Sequence, residues 1–372
     1  MALRIIITTG GTGGHIFPAL AVIEALKKRR PDAEILFVGG LYGPEKDIVT
    51  RAGVPFEGLP VRGFLGRGPK AVAAMFAMAG GIVRAMGLIR RFSPDAVMGF
   101  GGYAAFASVF AAHLLRRPCA LHEQNAVPGA ANRILGRLVS RVCLSWNQPA
   151  EKASFPAERC VLTGNPIRSG IAALGTAKRE REGAPRLLVM GGSQGARAIN
   201  NMVVSMLPAL REAGIDLLHQ TGASEYEAVR RAYLEAGISA EETDRIVHPF
   251  IHDMAAAYAE CDLALCRAGA TSMAELAATG TPAVFIPYPF AAHDHQTGNA
   301  RAMQDAGGAI LLPQKEAEAR AKDGSLAPML IELLTDRERL AAMRRGALSL
   351  ARPEAADAAA AELLALAEKT PK

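Results

Sequence analysis

Aromatic side chains are scarce in this chain of 372 residues, with one Trp, 6 Tyr and 13 Phe making up 5% of it. Proteins that grip unpaired bases stack them on aromatic rings, so the shortage argues against a nucleic-acid partner. Cysteine is also sparse and odd in number. Cys119, Cys143, Cys160, Cys261 and Cys266 form no CxxC pair, which indicates neither a disulfide framework nor a zinc site and fits a reducing cytosol. The opening MALRIIITTGG has too few apolar residues before its glycines for a signal peptide and reads as a first buried strand. The longest apolar run, residues 71–83, stops at Arg84, short of the ~20 residues needed to span a bilayer.

What is present is a globular composition, half apolar, too long for one average core and therefore suggestive of two domains. The net charge of +6 conceals an asymmetry. Residues 1–163 hold 20 Lys/Arg against 10 Asp/Glu and the remainder 22 against 26, so the first part is basic and the second mildly acidic. A basic half-molecule suits nucleic acid, an acidic substrate or an anionic membrane surface, and composition alone does not choose among them.

The most informative stretch runs from Cys261 to Asn299. Residues 262–265 read as a buried strand, Arg267-Ala-Gly-Ala270 as a tight turn, and 271–278 as a helix. Such a turn aims free N–H groups and the positive end of a helix dipole at one point, which favours an anion. Glu275, one turn into the helix, can accept hydrogen bonds from sugar hydroxyls. Residues 283–287 read as the next parallel strand, and the loop after it carries His293, Asp294, His295, Gln296 and Asn299, where ligands of open α/β sheets bind. Ser272 and Glu275 also satisfy a capping box, and His293 with His295 could pair on a metal.

The same plan occurs earlier. Asp95 precedes an apolar strand, a Gly-Phe-Gly-Gly-Tyr103 turn, an alanine-rich helix over 104–115 and a strand ending at His122-Glu-Gln-Asn125. The chain thus contains two copies of one α/β unit. Each copy follows a glycine turn after a strand, Gly10-Gly-Thr-Gly-Gly-His15 with a helix over 18–29, and Gly191-Gly-Ser-Gln-Gly195 with a helix over 196–210. The first turn lacks GxGxxG spacing, and the second strand, 34–38, ends in Gly39-Gly40 where a dinucleotide fold has an acid, so a nicotinamide cofactor is not expected. Turn signals at Thr163-Gly-Asn-Pro-Ile-Arg168 place the domain junction there. A short strand is expected at 245–247 and an alanine-rich helix at 354–368.

Two surface features complete the reading. Val72, Met75, Phe76, Ala79, Ile82, Val83, Met86 and Ile89 recur at helical spacing within 62–91, bordered by Arg62, Arg67, Lys70, Arg84, Arg90 and Arg91. That is the pattern of an interfacial helix or of an ordinary core-facing one, and Gly80-Gly81 weakens either. Arg133, Arg137 and Arg141 fall at i, i+4 and i+8, on a solvated face or an anion landing site. Two Rossmann-like halves suit group transfer from a nucleotide-activated donor, and with no Asp-x-Asp triplet, helix dipoles and cations would carry the leaving charge. The rivals are a serine hydrolase using the GxSxG at 191–195 and a non-enzymatic membrane-surface adaptor.

GGTGGH at 10–15, GFGGY at 99–103, HEQN at 122–125, GNPIR at 164–168, GGSQGA at 191–196, CRAGATSMAE at 266–275 and DHQTGNA at 294–300 occur in this order. Together they closely resemble the MurG family, the bacterial peptidoglycan N-acetylglucosaminyltransferases of the glycosyltransferase B-fold group, over essentially the whole chain. The resemblance implies two Rossmann-like, doubly wound parallel-sheet α/β domains facing a cleft. These would be an acceptor and membrane-facing domain over 1–163, with a C-terminal helix at 352–370 packing back on it, and a UDP-sugar domain over 164–351. It implies a metal-independent, inverting hexosyltransferase without cofactor, peripheral on the cytoplasmic face of the bacterial inner membrane. Such an enzyme transfers N-acetylglucosamine from UDP-N-acetylglucosamine to the C4 hydroxyl of the muramoyl sugar of lipid I, giving lipid II. Its partners are then UDP-N-acetylglucosamine, lipid I and an anionic membrane surface. Donor contacts are implied at Thr12, Gly13, Gly14, Asn125, Arg168, Ser193, Ile251, Ala270, Thr271, Ser272, Met273, Ala274, Glu275 and Gln296. Backbone groups at Ile251 are suited to uracil, Glu275 to the ribose, Ser193 to the diphosphate, and Gln296 with Asn299 to the hexose. His15 is the expected general base, with helix capping or a hold on acceptor phosphate as its other readings.

Overall fold

The computed structural model describes residues 3–11, 13–61, 71–146, 154–175, 183–192, 195–291 and 294–368, the side chains of 71–74 excepted. The chain divides into two compact units, residues 1–168 with 354–372, and residues 169–353.

Unit 1 has seven strands, β1 (Arg4–Thr8), β2 (Glu34–Gly40), β3 (Phe56–Leu59), β4 (Ala96–Gly99), β5 (Cys119–Glu123), β6 (Arg141–Leu144) and β7 (Cys160–Leu162). All pair in parallel, in the order β3-β2-β1-β4-β5-β6-β7. Its helices are α1 (Gly13–Arg29), α2 (Glu45–Arg51), α3 (Ala71–Phe92), α4 (Tyr103–Leu114) and α5 (Ala130–Leu135), joined by the C-terminal helix Ala355–Glu368. A parallel sheet is covered on both faces, which is why β4 and β5 are buried along their whole length. On one face Ile5, Ile7, Phe37 and Met98 pack with Val22 and Leu26 of α1 and with Ala359, Ala360 and Leu363 of the C-terminal helix. Arg29–Asp357 at 3.2 Å and Arg141–Glu362 at 2.9 Å pin that helix down. On the other face Ile6, Val97 and Leu121 pack with Met78, Leu88 and Ile89 of α3 and Val109 of α4.

Unit 2 has β8 (Arg186–Met190), β9 (Asp216–Gln220), β10 (Val247–His248), β11 (Leu263–Cys266), β12 (Ala283–Phe285) and β13 (Ala309–Leu311), parallel in the order β10-β9-β8-β11-β12-β13. Helices α6 (Ser169–Ala172), α7 (Arg197–Glu212), α8 (Tyr226–Glu235), α9 (Ala240–Ile246), α10 (Met254–Glu260), α11 (Ala270–Thr279), α12 (His295–Asp305), α13 (Gln314–Lys322), α14 (Leu326–Thr335) and α15 (Arg337–Ser349) surround it. In both sheets the first strand lies beside the fourth, so the order reverses there and leaves a crevice at the carboxyl ends of the strands.

The duplication extends to single hydrogen bonds. Asp95 accepts from the Arg4 backbone N–H at 2.8 Å, and Asp262 accepts from the Arg186 backbone N–H at the same distance. The Arg4 side chain reaches Glu34 at the start of β2, as Arg186 reaches Asp216 at the start of β9. An aspartate before the fourth strand thus ties down the first in each unit.

Several local expectations need correction. Helix α1 starts five residues before Pro18, because a proline this close to the helix mouth forgoes only the bond to the Gly14 carbonyl. Arg245 belongs to α9, and the strand is Val247–His248. Arg133, Arg137 and Arg141 share no helical face, since α5 ends at Leu135 and Arg141 opens β6, paired with Glu362. In α3 the apolar stripe divides: Ile89 is buried and Ile82 and Met86 pack against the core, while Met75, Phe76 and Val83 stand exposed. Gly81 does not break this helix. A Cβ there would collide with Val61, so the glycine lets α3 lie close to the sheet edge. Residues 62–70 lie outside the described part of the chain.

Each unit buries a neutral histidine. Burial holds His122 down at about 4 and His219 at about 3, from an ordinary 6.5. Both native values lie below the unfolded one, so their contribution to stability is complete above about pH 6.5 and declines as pH falls toward the native values, where the unfolded chain binds protons that the folded chain refuses. His219 sits between the Tyr233 hydroxyl at 3.0 Å and Asn200 Oδ1 at 3.1 Å. Replacing it with Gln should flatten the fall in urea midpoint between about pH 7 and pH 5, where one such group contributes up to about 1.4 kcal/mol per pH unit. Equal slopes in the two proteins would show that His219 is not the group responsible.

Candidate active site

In unit 1 the loops after β1 and β4 press together. Gly10 N–H donates to the Gly101 carbonyl at 2.9 Å, and Gly102, at φ +84°, lies where any Cβ would collide with the Gly10 carbonyl. His15, in the first turn of α1, rests against Gly101, where a Cβ would come within 3.0 Å of its ring. Its Nδ1 is 3.2 Å from Gln124 Oε1. Gly13 is buried and Gly14 exposed at the same helix mouth, and Thr12 lies outside the described residues. The Arg168 guanidinium stands over the Phe17 ring, 5.0 Å from its centroid.

The HEQN motif builds the floor. His122 donates through Nε2 to the Gly164 carbonyl at 2.9 Å and stacks on Phe100, and its buried Nδ1 has no hydrogen-bond partner among the described residues. Glu123, also buried, gathers the following loop. One oxygen accepts from Asn125 N–H at 2.9 Å and from its side chain at 3.3 Å, the other from Asn132 at 2.8 Å and Gly129 N–H at 3.3 Å. Burial raises the Glu123 carboxyl above its ordinary value, against the lowering pull of these donors. Asn125 is therefore positioned by Glu123, two residues before it.

Sequence reasoning missed one acid. No carboxylate ends β2, but Glu45 returns from α2, fully buried, and its Oε1 accepts from Gly11 N–H at 2.9 Å and Gly40 N–H at 3.4 Å. A protein carboxylate thus takes one amide of the first glycine loop. Only the tertiary fold reveals it.

In unit 2, α11 begins at Ala270 with Gly269 as N-cap and no side-chain cap, so the capping-box reading of Ser272 and Glu275 does not hold. The first-turn N–H groups of Ala270, Thr271 and Ser272 carry the positive helix end. Thr271 and Glu275 are buried, Ser272 and Ala274 half-buried, and Met273 points into the core. Glu275 Oε2 accepts from the buried Tyr258 hydroxyl at 3.0 Å. Ile251, beyond β10, donates its N–H to Gln220 Oε1 at 2.9 Å, and Gln220 Nε2 donates to the Gly192 carbonyl at 3.2 Å. Gln220, at the end of β9, thereby joins Ile251 to the second glycine loop, a role no local pattern announces. Ser193 lies outside the described residues. Gln296 accepts from Tyr288 N–H at 2.9 Å through its amide oxygen.

Two side chains beside this turn, one of them the expected hexose contact Asn299, are engaged with protein carbonyls. Arg267 is buried, and its guanidinium donates to the Ile286 and Pro287 carbonyls at 2.8 and 3.1 Å and to Gln314 at 2.9 Å. Asn299 is fully buried and donates to the Ala268 carbonyl at 3.1 Å. Both shape the β11–α11 turn rather than its ligand surface. Among the described residues no three His, Cys, Asp or Glu side chains gather into a metal site, and His293 lies outside them.

Residues 5–144 match the model of the glycosyltransferase family 28 N-terminal domain, and residues 186–361 that of the family 28 C-terminal domain. The chain belongs to glycosyltransferase family 28. Among curated family members, it is 54% identical over 371 residues to the UDP-N-acetylglucosamine--N-acetylmuramyl-(pentapeptide) pyrophosphoryl-undecaprenol N-acetylglucosamine transferase of Nitratidesulfovibrio vulgaris, covering 99% of each chain. It is 50% identical over 372 residues to the protein of that name from Solidesulfovibrio magneticus, with 98% of each covered. The crystal structure of Acinetobacter baumannii MurG, 32% identical, superposes with a TM-score of 0.74 over 98% of this chain and 99% of that one. The two parallel-sheet units are thus those of the glycosyltransferase B fold. Family 28 membership gives no support to a serine hydrolase at 191–195.

Proposed function

We propose that this family 28 enzyme transfers N-acetylglucosamine from UDP-N-acetylglucosamine to the C4 hydroxyl of the muramoyl sugar in lipid I, with inversion, releasing UDP and lipid II. What carries the reading is identity of 50% or more, over 98% or more of each chain, to transferases whose names state that donor, that acceptor and the N-acetylglucosamine transferred. In this reading unit 2 holds the donor. The mouth of α11, Ala270 through Ala274, meets the diphosphate with Ser193, and Glu275, its carboxylate oriented by the Tyr258 hydroxyl, holds the ribose. Since the Ile251 N–H already serves Gln220, the carbonyl of Ile251 is left to accept from uracil. Gln296 offers its NH₂ to hexose hydroxyls.

Unit 1 serves the acceptor. His15 removes the proton as the C4 hydroxyl attacks the anomeric carbon from the side opposite UDP, and the resulting imidazolium finds His122 beside it still neutral. Thr12, Gly13, Gly14, Asn125 and Arg168 complete the donor set from this unit. No described helix is long and apolar enough to cross a membrane. Exposed Met75, Phe76 and Val83 on α3, with Arg84, Arg90 and Arg91 also exposed there, support peripheral binding to an anionic cytoplasmic membrane face.

The test is UDP release from a panel of UDP-sugars with a lipid I analogue in vesicles. UDP-N-acetylglucosamine alone should turn over, unaffected by EDTA and faster on anionic than on neutral vesicles. Collapse under chelator would overturn the metal-independent mechanism, and equal rates on both vesicles would remove the cationic rim of α3 as the anchor.

A further inference from the structure

A histidine acts as a base only through the nitrogen that lacks a proton, so the tautomer of His15 decides which atom can accept one. Three contacts settle it. Gln124 is buried, and its backbone carbonyl accepts from the Trp146 indole N–H at 3.1 Å. Its side-chain Nε2 lies 3.0 Å from the Phe100 carbonyl. A carbonyl can only accept, so the amide NH₂ must face Phe100, and the amide oxygen must face His15 Nδ1 at 3.2 Å. That oxygen is itself only an acceptor. His15 Nδ1 must then carry the proton, and the lone pair resides on Nε2. A Cβ at Gly101 would come within 3.1 Å of Cε1 and Nδ1 of this ring, so the glycine gives the imidazole its place beside the β4–α4 loop.

We propose that Gln124 is a positioning residue, which fixes His15 as the Nδ1–H tautomer and thereby presents Nε2 to the acceptor hydroxyl. The inference rests on the reading of His15 as the general base. The two residues lie 109 positions apart in the chain, and Phe100 is a further 24 from Gln124, so GGTGGH, GFGGY and HEQN each supply one member of a single device. Gln, unlike Asp or Glu, sets the tautomer without adding a negative charge, so the imidazolium formed by proton transfer is not held back by an ion pair.

Two variants test it. Gln124→Met keeps length and loses both polar groups. Gln124→Glu in its neutral form can still donate to Phe100 and accept from Nδ1–H, and as a carboxylate it still accepts. Nitrogen NMR of isotope-labelled histidine, with the His15 signal assigned by its loss in His15→Ala, should report Nδ1–H in the wild type and in Gln124→Glu. In Gln124→Met it should report a mixture or Nε2–H, with kcat lower by about 10–100-fold and donor KM little changed, because part of the base contribution is lost. An Nε2–H signal in the wild type overturns the proposal whether or not any variant folds, as does an unaltered His15 signal in Gln124→Met. A shifted tautomer with undiminished kcat also overturns it. If His15→Ala retains full activity as well, the failure is that of the base reading rather than of the Gln124 geometry.

Discussion

His15→Ala should lower kcat by about 10²–10⁴-fold, the usual contribution of a positioned general base, while donor KM and UDP affinity stay nearly unchanged. The split follows from the structure. His15 lies in the first turn of α1, against Gly101 and with its Nδ1 3.2 Å from Gln124 Oε1, both in unit 1. The groups assigned to uridine and diphosphate, apart from the unit 1 loop residues, belong to unit 2. Removing the imidazole therefore deletes a transition-state interaction and leaves ground-state donor binding in place. Stability should change little, because the half-buried side chain leaves behind an amide oxygen that a water can reach. Steady-state kinetics with saturating lipid I analogue, paired with UDP titration calorimetry, measures both quantities. Near-normal kcat would remove His15 from the base role and favour its other readings, a helix cap or a hold on acceptor phosphate.

Much of this arrangement is legible in one sequence because the fold is written twice. Asp95 and Asp262 precede their strands by the same interval and make the same bond to Arg4 and Arg186, so the pattern of aspartate, apolar strand, small-residue turn and helix signals a tertiary constraint as well as a secondary one. Buried parallel strands announce themselves as short apolar runs, and β4 and β11 are of this kind, while β5 ends in the buried His122 and Glu123. The parts that stayed hidden are pairings between distant residues with no periodicity of their own. Glu45 closing on Gly11, Gln124 on His15 and Gln220 on Ile251 each join polar groups on different strand ends, and their residue types are ordinary loop composition until the sheet order is known. Arg267 and Asn299 show the opposite effect. A cation and an amide beside an anion-binding turn look like ligand groups, yet carbonyls left unpaired at the carboxyl ends of β11 and β12 take them first.

Glu275→Ala should raise donor KM by about 10–150-fold, the range set by losing charge-assisted hydrogen bonds worth about 1.5–3 kcal/mol, with kcat on saturating donor changed little. The carboxylate is buried in α11, and the Tyr258 hydroxyl, at 3.0 Å, holds one of its oxygens. That bond orients the carboxylate, and the proposed ribose contact is tested by removing it. Tyr258→Phe should consequently weaken donor binding far less than Glu275→Ala, since it loosens the carboxylate without removing it. Glu275→Ala also removes the carboxylate acceptor of the buried Tyr258 hydroxyl, so its folding must be followed separately by thermal unfolding. The decisive measurement is a cycle in the ligand and the protein together. Replacing UDP by its 2′-deoxy form should weaken binding to the wild type but leave the affinity of Glu275→Ala nearly unaltered, because the partner of the missing hydroxyl is already gone. If the deoxy ligand is penalised equally by both proteins, Glu275 does not touch the ribose. The buried carboxylate would then be a strut between α10 and α11, held by Tyr258 for the sake of the turn at Gly269.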